Sequence, residues 1–242
     1  MLAKIKAWWT SLFTKNTKQG IDPKPPETLK PEPFLIPSIA VNSPRKLDNK
    51  IETMIDDWLL KTRPTKFKDA IARKDANAIC GMAAEALSEF NIREKTNSND
   101  GDLVERIQKT NYGSKGDAWC MYFVQTAVAY AEKKTGKVSK IYSSGSCASV
   151  RKYSSSLAID GSKSQYGDIW VWIYSATGLG HTGVFEGWIK YLISAVLNEG
   201  NTTAGKVGDS IVREGGGSYQ TERAYDTNKK SKMYLGMVIR PF

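Results

Sequence analysis

The fold of this chain is decided by the stretch Gly116-Asp-Ala-Trp-Cys-Met-Tyr-Phe123, which places a cysteine where a helix is expected to begin. Residues 118–132 contain no glycine or proline and many good helix formers, and Gly116-Asp117 supplies a break and an N-cap residue. Cys120 is therefore predicted in the first helical turn, where unpaired N–H groups and the helix dipole favour a thiolate and could receive an oxyanion. A buried structural cysteine fits the same stretch, so both interpretations stay open here.

The second informative stretch is Thr177-Gly-Leu-Gly-His-Thr-Gly183, which contains the only histidine of the 242 residues. A thiol with its ordinary pKa of about 8.5 is a poor nucleophile at neutral pH unless a helix N-terminus or an imidazole activates it. If Cys120 works with an imidazole base, that base must be His181.

Strand-like sequence surrounds His181. In the run Gly167-Asp-Ile-Trp-Val-Trp-Ile-Tyr174, β-branched residues alternate with aromatic ones, so both faces of a strand formed here would be apolar. This pattern is typical of a strand that is covered on both faces. His181 opens the next strand, and a third runs through residues 192–197. A hairpin bend near Lys190 would place His181 opposite Glu199, whose carboxylate could then orient the imidazole. A one-residue slip would leave Glu199 as a solvated strand-end charge instead.

Five short motifs follow one another along the chain: Trp119-Cys120, Gly167-Asp168-Ile169, Gly180-His181-Thr182-Gly183, Glu199-Gly200-Asn201 and Gly236-Met-Val-Ile-Arg-Pro241. Their order and spacing resemble the CHAP domain, the cysteine, histidine-dependent amidohydrolases and peptidases. This family is a papain-like branch found largely in phage and bacterial peptidoglycan hydrolases. The runs at residues 85–94 and 99–104 are similar to the family's opening helix and its approach to the nucleophile, so the resemblance covers about residues 70–242.

The resemblance implies an α+β, papain-like fold with N-terminal helices packed on a mainly antiparallel sheet, a class that the order of helices and strands also favours. It implies that Cys120 is the nucleophile and His181 the general base and then acid, with Glu199 and Asn201 positioning or polarising the imidazole. The implied substrate is peptidoglycan, cleaved at an amide bond of the wall peptide or at its link to muramic acid by a phage or virion-associated lysin. Two alternatives are an antibacterial amidase effector and a non-catalytic envelope-binding or virion structural protein that retained the fold.

No cofactor and no metal are expected. Some members of the family hold calcium before the nucleophile, but residues 111–117 offer only one carboxylate and a lysine. The run Asn97-Ser-Asn-Asp-Gly-Asp102 lacks the final glutamate of an EF-hand loop, which favours a turn. Cys80 and Cys147 are interpreted as structural or incidental, and a disulfide between them is possible but has no support in the sequence.

The chain is predicted to divide into four segments. Residues 1–20 form a basic amphipathic segment, residues 21–47 a proline-rich linker, residues 48–64 a short helix and residues 65–242 the CHAP-like catalytic domain. Seven of the nine prolines lie in the linker, a density that prevents regular structure.

Residues 1–18 combine lysines with an apolar face that contains two tryptophans. Lysines interrupt the apolar run and no cleavage site follows, which argues against a signal peptide, so an anionic membrane surface or a docking protein is the expected partner. The net charge of +10 also favours an anionic partner, but no nucleic-acid-binding motif is present and no nucleic acid is expected. No apolar stretch approaches the roughly 20 residues of a membrane span. We therefore expect a soluble protein, made in the cytoplasm, that acts at the bacterial wall or periplasm, with association with the virion as one route.

Overall fold

The computed structural model describes residues 45–203 and 216–242, so the predicted basic segment and most of the predicted linker lie outside the described residues. Within them the α-helices are α1 (Asn49–Thr62), α2 (Pro64–Ala72), α3 (Ala76–Glu89), α4 (Asp102–Lys109), α5 (Cys120–Thr135) and α6 (Cys147–Tyr153). The strands are β1 (Ala158–Ile159), β2 (Ile169–Tyr174), β3 (Gly180–Lys190), β4 (Ser194–Thr202), β5 (Gly217–Ala224) and β6 (Met233–Ile239). Two 3₁₀ turns, Ser155–Leu157 and Gly161–Lys163, flank β1. No helix in the two described ranges is long and apolar enough to cross a membrane.

The described strands form one antiparallel sheet in the order β1-β6-β2-β3-β4-β5. Strands β2 to β5 follow one another as neighbours, and the last strand, β6, returns to lie between β1 and β2. The predicted α+β class, with helices first and an antiparallel sheet after them, is confirmed.

Strand β2 is buried on both sides, as its composition predicts, because successive side chains of a strand point to opposite faces. Ile169 and Val171 belong to the large apolar cluster that contains the helices. Trp170 and Trp172 belong to a second cluster, together with the partly buried Trp188 and with other strand residues: Phe185, Ala195, Leu197, Leu235 and Val238. The sheet therefore separates two cores, and β2 contributes to both.

The predicted short helix is present as α1. The Asp48 side chain accepts hydrogen bonds from the backbone N–H groups of Lys50 and Ile51, which caps the helix start. Ile51, Ile55 and Leu59 recur every four residues and are fully buried in the helix-containing core. Burial of each such side chain contributes about 1.5–3 kcal/mol, so α1 is an integral part of this core.

Arg45 anchors the chain just before α1. Its guanidinium donates from Nε to Gln125 Oε1 (2.5 Å), from Nη1 to Glu132 Oε1 (2.7 Å) and from Nη2 to the Ile141 carbonyl (2.7 Å). The Arg45 side chain is only 4% exposed. Residues 45–47, predicted as the end of the linker, are thus tied to α5 and to the loop that leads into α6.

Candidate active site

Cys120 is the first residue of α5, so it lies in the first helical turn as predicted, although the helix begins two residues later than expected. The first helical hydrogen bond runs from the Phe123 N–H to the Trp119 carbonyl at 2.9 Å. The N–H groups of Cys120, Met121 and Tyr122 therefore precede the intrahelical ladder and remain available to a negative charge. Cys120 is buried, with 4% of its surface exposed.

The expected N-cap at Asp117 is wrong. Trp119 is the N-cap residue and makes no side-chain capping bond. The Asp117 carboxylate instead accepts from the Ser114 N–H at 2.8 Å and from the Tyr122 hydroxyl at 3.0 Å. Asp117 therefore closes the turn before the helix. It does not cap the helix, because the N-cap position is occupied by Trp119, two residues later in the chain.

Glu94, which lies in the upstream motif region, fixes the position of Trp119. Its Oε1 accepts from Trp119 Nε1 and its Oε2 accepts from the Asn99 N–H, both at 2.9 Å. One carboxylate therefore ties the segment around residue 99 to the residue that precedes Cys120. The sequence motif signalled this region but not the contact.

In the run at residues 97–102, residues 97–99 form a bend in the chain, and Asp102, the last residue of this run, opens α4. Asn97 and Asn99 have left-handed backbone angles, φ of 56° and 55°. The Asp100 carboxylate accepts from the Thr96 N–H at 2.8 Å, so the carboxylate is satisfied by the turn itself. Among the described residues, no three His, Cys, Asp or Glu side chains cluster in a way that could hold a metal ion.

His181 lies fully buried near the start of β3. It pairs with Trp172 of β2, and the two rings stack with centroids 6.2 Å apart and an interplanar angle of 25°. Its Nε2 lies 3.0 Å from Glu199 Oε2, and its Nδ1 is buried without a hydrogen-bond partner among the described residues. The carboxylate therefore fixes one ring nitrogen and leaves the other for chemistry.

The predicted hairpin register is wrong by two residues. Val184 pairs with Asn198, which places Gly183, and not His181, beside Glu199. The turn occupies residues 191–193, and the register shifts twice along the hairpin, between Phe185 and Gly187 and again near its tip. Two-residue shifts preserve the face of a strand, so Glu199 still reaches the ring, now as a diagonal neighbour.

Gly183 makes this diagonal contact possible. A Cβ atom at Gly183 would lie 2.6 Å from Glu199 Cγ and 3.2 Å from the Asn198 carbonyl oxygen. Real Cβ atoms essentially never come within 3.0 Å of another atom, so the 2.6 Å contact means that glycine leaves the room in which the Glu199 side chain crosses to His181.

Glu199 is held from its other side by β5. Arg223 donates from Nε to Oε1 at 2.8 Å and from Nη2 to Oε2 at 2.5 Å, and the Thr221 hydroxyl donates to Oε1 at 2.8 Å. All of these side chains are buried. Burial alone would raise the pKa of Glu199, but Arg223 and then His181 outweigh it and lower the pKa to about 2. The carboxylate is therefore a fixed negative charge behind the imidazole.

Asn201, the other predicted partner of the imidazole, lies where the β4–β5 register shifts between Glu199 and Thr202. It is fully buried and has a left-handed backbone φ of 53°. Nε2 of His181 is the atom that Glu199 binds, so Glu199 takes the position directly behind the ring. Asn201 stands next to it on a locally irregular strand.

The thiol and the imidazole stabilise each other's charged forms. Contact with the Cys147 thiol lowers the pKa of Cys120 most; burial opposes this, and His181 and the Met121 N–H lower it further, to well below its usual range. Burial lowers the pKa of His181, but Cys120 and Glu199 outweigh burial and raise it to about 9. The site therefore favours a thiolate and an imidazolium at neutral pH.

Cys147, interpreted from the sequence as structural or incidental, lies beside Cys120 in the site. Its Sγ is 3.8 Å from Cys120 Sγ, and both residues are buried. None of Cys80, Cys120 and Cys147 forms a disulfide, so the Cys80–Cys147 pairing is absent. Cys80 lies inside α3. No local motif flanks Cys147, which is why sequence patterns missed its place beside the nucleophile.

Comparisons of the chain with protein-family models, with curated proteins and with solved structures gave no significant match. The chemistry of the site therefore rests on its own geometry. Arg223, Glu199, His181 and Cys120 follow one another in that order, which is the arrangement of a nucleophile, a base and a group that orients the base.

Proposed function

We propose that this chain is a papain-like, CHAP-type cysteine amidohydrolase or peptidase that cleaves an amide bond in bacterial peptidoglycan. The observation that carries the proposal is the buried series in which Glu199 binds His181, whose imidazole is electrostatically paired with a thiol at a helix start. A base oriented by a carboxylate is what an activated nucleophile needs. The order of the sequence motifs supports peptidoglycan as the substrate class.

The reaction begins when the Cys120 thiolate attacks the carbonyl carbon of the amide. The negative charge that develops on the carbonyl oxygen is stabilised by N–H groups at the start of α5. His181, as imidazolium, donates its proton to the leaving amine, and the C–N bond breaks to leave a thioester on Cys120. His181 then removes a proton from water, which attacks the thioester and releases the carboxylic acid and the thiolate.

The Glu199 carboxylate does not change its protonation state in this cycle. Its pKa, lowered to about 2, keeps it ionised at neutral pH. It holds the ring through Nε2, so Nδ1 is the atom that exchanges protons. Arg223 keeps the carboxylate in place, since a buried carboxylate without a cation would be costly.

Peptidoglycan is the substrate that the motif resemblance supports, either at the wall peptide or at its link to muramic acid. This proposal places the protein's action at the bacterial wall or periplasm, where a phage or virion-associated lysin works. An amidase effector would share the same chemistry at Cys120.

The test is mass spectrometry of fragments released from purified sacculi. Amide cleavage adds one water and produces a new amine and a new carboxylic acid, and the fragment masses identify the bond. Cys120→Ala and His181→Ala proteins that remain folded by circular dichroism are the matched controls and should release nothing. Intact sacculi after treatment with the folded wild-type protein would contradict the proposal.

A further inference from the structure

The second thiol of the site is placed there by packing from two directions. A Cβ atom at Gly180 would lie 2.7 Å from Cys147 Cβ, so the start of α6 is seated directly on the start of β3, beside His181. A Cβ atom at Gly145 would lie 2.0 Å from the Tyr122 ring, so the loop before α6 is also seated on α5. Cys147 is therefore held against both the strand that carries the base and the helix that carries the nucleophile.

Hydrogen bonds reinforce this position. The Gln125 side-chain amide of α5 donates to the carbonyl oxygens of Tyr142 and Ser144, at 2.9 and 3.3 Å. The Ser146 side chain caps α6 by accepting from the Ser149 N–H. The separation of 3.8 Å between the two Sγ atoms is within hydrogen-bonding range for sulfur.

The number of protons in the site determines whether one proton remains between the two sulfurs. Two thiols carry two protons, and His181 is the only imidazole in the chain and accepts one. The second proton stays with the sulfur pair. Cys120 opens α5, and His181 and the Met121 N–H both lower its pKa, so the negative charge is most stable on Cys120 and the remaining proton on Cys147.

We propose that Cys147 is a positioning residue that donates its S–H group to the Cys120 thiolate. This hydrogen bond holds Cys120 Sγ in place beside His181 and keeps the sulfur ionised between turnovers. The inference rests on the proposed function for its effect on turnover, whereas the sulfur–sulfur hydrogen bond itself can be measured without any wall substrate.

The first test is the pH dependence of alkylation of Cys120 by iodoacetamide, followed by peptide mass spectrometry. Removal of the donor in Cys147→Ala should move the midpoint for Cys120 to higher pH by about one unit, because hydrogen bonds to charged groups are the stronger kind. Cys147→Ser retains a donor and should recover most of the shift. Cys80→Ala removes a buried thiol elsewhere and should leave the midpoint unchanged.

Two results would overturn the proposal: a Cys147→Ala midpoint equal to that of the wild-type protein, or an equal shift in Cys80→Ala. If Cys147→Ala shifted the midpoint only by disturbing the packing, restoring a hydrogen-bond donor in Cys147→Ser would not reverse the shift. Thermal unfolding of each variant establishes that the folded form is being compared.

A second measurement does not depend on any Cys147 variant. The ultraviolet absorbance of the thiolate at neutral pH should be present in the wild-type protein and absent in Cys120→Ala, because Cys147 is the donor. Persistence of this absorbance in Cys120→Ala would place the charge on Cys147 and overturn the assignment.

Failure of the proposed function is recognised separately. If the wild-type protein releases nothing from sacculi but the alkylation midpoint still shifts in Cys147→Ala, the hydrogen bond is supported and the proposed hydrolase function is wrong. If the wild-type protein hydrolyses sacculi but the midpoint does not shift in Cys147→Ala, the hydrolase function is supported and the proposed role of Cys147 is wrong. In an active enzyme, the acidic limb of kcat/KM should move to higher pH in Cys147→Ala together with the alkylation midpoint.

Discussion

Cys80 and Cys120 are both buried cysteines on helices, and their thiols are shifted in opposite directions. Cys80 is enclosed within α3, where burial raises its pKa more than Arg45 lowers it. Cys120 is almost as buried, but Cys147, His181 and the Met121 N–H outweigh burial and lower its pKa. The sign of the shift is therefore decided by neighbouring groups and by position in the helix, since burial is common to both residues.

The largest effect that would separate the two cysteines is on turnover. Cys120→Ala should lower hydrolysis of sacculi by at least about 10³-fold, because it removes the proposed nucleophile at the start of α5. Cys80→Ala should remain within about twofold of the wild-type rate and lose about 1 kcal/mol of stability. Turbidity of sacculi and thermal unfolding measure the two quantities. Equal losses of activity in the two variants would break the comparison.

The next effect concerns the charge behind the imidazole. Glu199→Gln keeps the shape but removes the negative charge that stabilises the imidazolium, so kcat should fall by about 10²-fold with a smaller change in KM. Reactivity of Cys80 should not change. The matched variant Glu222→Gln, on β5, removes a carboxylate that makes no contact with His181 among the described bonds and should leave kcat unchanged. Activity of Glu199→Gln within twofold of the wild-type protein would remove Glu199 from the mechanism.

A smaller effect is expected from the space beside Glu199. Gly183→Ala would place a methyl group 2.6 Å from Glu199 Cγ, and the carboxylate must then move away from His181 Nε2. Small displacements of a catalytic array are costly, and we expect a loss of about tenfold in kcat. Gly187→Ala on the same strand meets no atom within 4 Å and is the control. Comparable kinetics of the two alanine variants would show that the diagonal contact does not need the glycine.

The pH dependence sharpens the comparison further. As pH falls through the lowered pKa of Cys120 the thiolate gains a proton, and as pH rises through about 9 the His181 imidazolium loses the proton that the leaving amine needs. The rate should therefore be bell-shaped, and both apparent values belong to the coupled pair. Stability from the charged imidazole is complete below its ordinary pKa of about 6.5 and is lost above about 9. A rate that still rises above pH 10 would contradict the role of the imidazolium.

The parts of this site that local sequence could predict are those that local forces determine. The helix that carries Cys120 in its first turn follows from a break and a run of helix formers, although it begins two residues later than expected, and the strand at residues 169–174 follows from its composition. The β3–β4 register could not be predicted, because two irregular positions and a three-residue turn at residues 191–193 shift the pairing. The predicted contact between Glu199 and His181 is nevertheless present, because the register differs from the prediction by an even number of residues and both side chains stay on the same face.

Two of the residues that the sequence did not reveal, Arg223 and Cys147, act over long separations. Arg223 meets Glu199 through the pairing of β4 with β5, and no pattern within β5 identifies its partner. Cys147 reaches Cys120 because a glycine at residue 180 lets a helix approach a strand closely. Asp117 looked like a cap from its place in the sequence, yet the Tyr122 hydroxyl and the Ser114 N–H use its carboxylate. Tertiary contacts therefore assign the roles of Arg223 and Cys147, whereas two local partners decide the role of Asp117.

The contacts of Arg45 determine where the chain could be cut if this domain were transferred to another protein. All the proposed catalytic residues lie after residue 119, so a breakpoint near residue 65 looks harmless in the sequence. Such a cut would remove a guanidinium from Glu132 and from the Ile141 carbonyl, which precedes the loop of the second thiol. It would also strip α1 from the core. As a module for recombination, in evolution or in engineering, the transferable unit therefore begins before Arg45.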